Sequence, residues 1–109
     1  MYYLSIGDPW DFESPDGKNI INGEVIKFID SNCIIFKANY TLQIDDTVGD
    51  VIILTPRYAD ENFDGLGKES YRVTVNGGLL SEFDEDMGIE ELKLKSKFFI
   101  TGGLNVKDK

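Results

Sequence analysis

With 109 residues and 41% apolar side chains, the chain has the length for one domain, residues 1–109, and enough apolar material to bury a core without disulfide or metal staples. Its 20 acids against 11 bases give a formal net charge of −9 and a pI near 4.3, which excludes nucleic acid as an expected partner and favours a basic protein. Histidine is absent, which removes the commonest general base, the usual partner of a Ser or Cys nucleophile and the commonest transition-metal ligand.

Short runs of β-branched and aromatic residues, separated by Gly, Asn, Asp and Pro, predict a mainly β fold: a small antiparallel β-barrel or β-sandwich with at most one short helix. YYLSI (2–6) reads as a first strand. GDPWDFESPDGKN (7–19) reads as a long loop, closed by the Asp16-Gly17 turn pair. IINGEVIKFID and CIIFKANY, joined by Ser31-Asn32, read as a hairpin whose turn uses the tolerance of Asn for a left-handed backbone. In its first strand, alternation places Ile26 and Phe28 on one wholly apolar face and Val25, Lys27 and Ile29 on the other.

Cys33, the single cysteine, falls in a buried strand, where a thiol behaves as a small hydrophobe. TLQIDDTVGD (41–50) reads as a polar tip, and VIILT, ended by Pro56, as a central strand covered on both faces. The acidic loop DENFDGLGKESY (60–71) leads into YRVTV, where Tyr71, Val73 and Val75 share a face, and Asn76-Gly77-Gly78 is expected to end that strand. SEFDEDMGIEEL is the one place for a short helix. LKLKSKFFITGGLNVKDK alternates Leu92 and Leu94 with Lys93 and Lys95 and reads as a final strand with a frayed tail.

Three acidic constellations could carry function. In the first, Asp60, Asn62 and Asp64 occupy the opening ligand positions of an EF-hand loop, and Gly65 stands at its turn. The bidentate Glu of the twelfth position is replaced by Tyr71, and strand-like flanks stand where helices belong, so the loop reads as a polar connection carrying Asp60, Glu61 and Asp64. In the second, Asp8, Asp11 and Glu13 surround Trp10 and Phe12, so that one loop offers a basic partner both carboxylates and ring faces; alternatively, the two rings plug one end of the barrel. The third is the run Glu82, Asp84, Glu85 and Asp86, continued by Glu90 and Glu91, which amounts to a docking face only if the fold gathers it with other acids. No carboxylate pair is marked out for hydrolytic chemistry, and no catalytic residue, cofactor or metal is expected.

No apolar run approaches the length of a bilayer span, and MYYLSIGDPWDF has neither a basic start nor a small-residue cleavage site, so a cytoplasmic protein without membrane contact is expected. The stretches IGDPWDFESPDGKNIINGEV and VIILTPRYADENFDG, with the acidity and the missing imidazole, resemble single-domain immunity proteins that bacteria pair with polymorphic or contact-dependent growth-inhibition toxins. The resemblance implies stoichiometric binding to a cognate toxin domain, often a basic nuclease, with no catalytic residue. Lys93, Lys95 and Lys97 depart from a uniformly acidic docking face and are expected on another side. Two other classes remain open: a regulatory or assembly barrel that binds another basic protein, and a calcium-binding or carboxylate-only module.

Overall fold

The computed structural model describes residues 9–13, 20–63 and 72–106. Five long strands, β2 (Ile20–Asp30), β3 (Cys33–Ile44), β4 (Thr47–Pro56), β5 (Arg72–Leu80) and β6 (Lys97–Val106), form an antiparallel meander. The short β1 (Pro9–Glu13) pairs with both β2 and β6 and closes it into a barrel. One helix, α1 (Ile89–Lys95), interrupts the meander between β5 and β6. The mainly β expectation holds, with one short helix among the described residues. β1 pairs with β2 over Ile20–Glu24 and with β6 over Gly103–Val106, which shortens the sheet edges left open to template aggregation.

β4 is the strand whose sequence explains its place best. Ile52 and Leu54 point inward, opposite Phe36 and Ile34 of β3, while Val51 and Ile53 point outward, opposite Lys37 and Ile35. Both sets are covered. Ile52 and Leu54 join Ile21, Val25, Ile34, Phe36, Val73, Val75, Leu79 and Leu104 in the barrel interior. Ile53 joins Cys33, Ile35, Leu80, Met87 and Leu92 in a second core on the outer face, beneath the chain between β5 and β6. The uninterrupted apolar runs CIIF and VIIL are thus needed because two cores share one sheet.

Several elements differ from the sequence reading, each for a local reason. Pro9–Glu13 is strand rather than loop: Trp10 pairs with Gly23 and Val106, so the acid-aromatic stretch closes the barrel. The Ser31-Asn32 turn needs no left-handed Asn, because the Asn32 N–H donates to Asp30 Oδ1 at 2.8 Å and makes the turn with a side chain. Among the described non-glycine residues, the positive φ (54°) is instead at Asp45, in the Asp45-Asp46 turn to which the supposed polar tip 41–50 shrinks. A register shift between Val25 and Lys27 inserts an extra residue, so Ile26 packs on the outer core while Phe28 pairs with inward Ile34. The single apolar face expected for Ile26 and Phe28 is thereby split.

Asn76-Gly77-Gly78 does not end β5, which runs on to Leu80. A side chain at Gly78 would stand 2.8 Å from Ser96 Oγ, so this glycine lets the residue after α1 lie directly on the sheet. Leu92 to Lys95, read as alternating strand, are helical: Leu92 is 0% exposed and Leu94 87%. The helix begins at Ile89, eight residues into the segment SEFDEDMGIEEL, after Met87 has been buried. Strand 2–6, Tyr71 and the tail 107–109 lie outside the described residues.

Candidate functional site

The run Glu82, Asp84, Glu85 and Asp86 lies on the connection that leaves β5 and crosses the outer face of β2 to β5. Apolar residues inside the run fix its path. Met87 is buried in the outer core that includes Ile35 and Ile53, and Phe83 is half-buried against that core, and this pulls the chain down at two points and leaves the acids between them outward. Local hydrogen bonds then set the turn: the Met87 N–H donates to Asp84 O at 3.0 Å, and the Asp86 N–H donates to Asp84 Oδ1 at 3.0 Å. Lys27 Nζ reaches from β2 to donate to Glu85 O at 2.6 Å, clamping the turn to the barrel wall.

All four acids are exposed. Glu82 accepts from Lys95 Nζ at 3.1 Å, and Lys95 also pairs with Glu91 at 3.3 Å; both contacts raise the Lys95 pKa, Glu82 first. Among the described residues no cation pairs with Asp84, Glu85 or Asp86, so their charge faces solvent.

The other acidic positions lie elsewhere. Asp60 and Glu61 follow β4 at the barrel end that also carries the Ser31-Asn32 turn, where the Phe63 N–H donates to Ser31 O at 2.8 Å. Trp10, Asp11 and Glu13 are on β1, opposite β4 in the ring of six strands and thus on the wall away from the acidic turn. Asp8 and Asp64 lie outside the described residues, as does the expected behaviour of the Trp10 and Phe12 rings. The fold therefore gathers Glu82, Asp84, Glu85 and Asp86 on one turn but sets β1 apart from them. Among the described residues no group of His, Cys, Asp and Glu is arranged to hold a metal.

Sequence reasoning missed two features. Phe63, inside the supposedly polar acidic loop, is fully buried in the barrel core and stoppers that end of the barrel. A lone aromatic among Asp, Glu and Asn was the available signal. The second feature is a groove of about 590 Å³ on the outer sheet face beside α1, floored by Ile53 and Gly78 and walled by Arg57, Tyr58, Lys93 and Phe98. Tyr58 and Phe98 are 55% and 62% exposed, unusual for large rings on a small domain. Its parts come from β4, β5, β6, α1 and the connection after β4, too far apart in sequence to read as one site.

Cys33 lies within the outer core, fully buried, and burial, aided by Asp30, pushes its thiol up to about 11, against a smaller opposing pull from Lys93. It is a packing residue, poorly suited to nucleophilic chemistry. Among the described residues no helix is long and apolar enough to cross a membrane. Comparison with protein-family models, curated proteins and solved structures finds no significant match.

Proposed function

We propose that this protein is a cytoplasmic immunity protein that binds a cognate bacterial toxin domain of basic charge and occludes it, without catalysis or a cofactor. The observation that supports this reading is the Glu82 to Asp86 turn: four exposed carboxylates held on a fixed backbone, three without a cation among the described residues, on a chain of net charge −9. A free loop would lose conformational entropy on docking. Here the Phe83 and Met87 anchors and the Lys27 clamp have already ordered the turn, so its charge is presented with less further cost. Long-range attraction would speed encounter, while the closed barrel supplies a rigid support.

The test is co-expression and titration with a C-terminal toxin domain encoded beside this chain. The reading expects a one-to-one complex and protection of the host cell, with association slowed by salt. If no neighbouring toxin domain binds and none is neutralised, the reading fails. Recovery of a housekeeping complex from the native host would instead favour a regulatory or assembly module.

A further inference from the structure

We infer that the groove beside α1 is a binding site for a small organic anion that carries a planar ring, independent of the acidic turn. Its charge runs against the rest of the molecule. Arg57 and Lys93 flank it with Glu61 as the carboxylate among its lining residues, and neither cation forms an ion pair with a described residue. Two cations to one carboxylate among the described lining residues, on a chain with 20 acids and 11 bases, is a local reversal of sign that attracts an anion.

The remaining walls select for a ring. Tyr58 and Phe98 stand exposed at the groove, while its floor is apolar at Ile53 and has no side chain at Gly78. Ser96, seated against Gly78, holds the α1 wall close to the sheet, and its hydroxyl donates to Lys93 O at 3.0 Å. Asn76 adds a fixed donor: its side-chain oxygen already accepts from Thr101 Oγ1 at 2.8 Å, which leaves the amide NH2 for a ligand. A volume of about 590 Å³ suits a small molecule, and cationic groups beside aromatic faces match a ring bearing a carboxylate or phosphate.

The test is an NMR titration of the intact protein with phenyl phosphate, inorganic phosphate and benzyl alcohol as separate probes. Phenyl phosphate is expected to give saturable shifts centred on the amides of Tyr58, Gly77, Gly78 and Phe98. The ring-only and phosphate-only probes should each bind about ten-fold or more weakly. The R57Q/K93Q double variant, altered at two exposed positions, should keep the wild-type melting temperature and bind phenyl phosphate about ten-fold more weakly. The inference is overturned if phenyl phosphate gives no saturable shifts there, if inorganic phosphate binds equally well, or if R57Q/K93Q binds like the wild type. Toxin binding plays no part in any of these outcomes.

Discussion

At the scale of single residues, Phe63 and Tyr58 make an instructive pair, because they stand five positions apart on one connection and meet opposite environments. Phe63 fills the barrel end and is 0% exposed, so Phe63→Ala should destabilise by about 3–5 kcal/mol in urea unfolding. Tyr58→Ala should change stability by about 0.5 kcal/mol or less, since its ring stands at the groove in solvent. Equal effects would contradict the stopper role.

Cys33 gives a second prediction. Its folded-state pKa, about 11 against an ordinary 9.0, means the native state holds the thiol proton more tightly than the unfolded chain. The associated stability is therefore complete below pH 9 and lost as pH rises from about 9 toward 11. Wild-type stability should fall across that window relative to Cys33→Ala, and a constant difference between the two would contradict it.

At the scale of elements, α1 is the sharpest departure from periodicity. Seven residues cannot hold a helix alone, and the LKLK alternation fits a strand equally well by pattern. Burial decides it: Leu92 is fully buried in the outer core with Cys33, Ile35 and Leu80, whereas Leu94 is 87% exposed. A strand would put both leucines on one face, and substitution would then affect them alike. Leu92→Lys should instead unfold the outer core, while Leu94→Lys should be nearly neutral, as read by thermal melts.

The hairpin of β2 and β3 and the doubly covered β4 were legible because their apolar runs state how many faces are buried. What stayed hidden depends on contacts from afar. Gly78 carries the local signal of a strand end, and only Ser96 seated against it gives it another role; Pro9–Glu13 carries loop signals because its pairing partners, β2 and β6, lie as far away as residue 106. The acidic turn was visible as a charged run, but its outward presentation depends on Phe83 and Met87 finding a core that the run itself does not encode.

At the scale of the molecule, the barrel separates its functional candidates. The acidic turn and the groove flank α1 on the outer face of β2 to β5, with β1 on the far wall. Of the three lysines expected on another side, Lys95 instead pairs with Glu82 of the acidic turn, whereas Lys97 pairs with Asp45 of the β3–β4 turn at 2.9 Å and Lys93 lines the groove. A partner that docks on the acidic turn therefore meets a patterned face, and Asp84, Glu85 and Asp86, which pair with no cation among the described residues, are the charges that would steer it. The most direct measurement of the proposed immunity is the association rate of a toxin domain encoded beside this chain with the wild type and with D84N/E85Q/D86N, at low and high salt. Immunity through this turn predicts a one-to-one complex whose association is fast at low salt, slows with salt, and is slower and less salt-sensitive in the triple variant. A toxin domain that does not bind, or that binds both proteins at the same rate at every salt concentration, would contradict it.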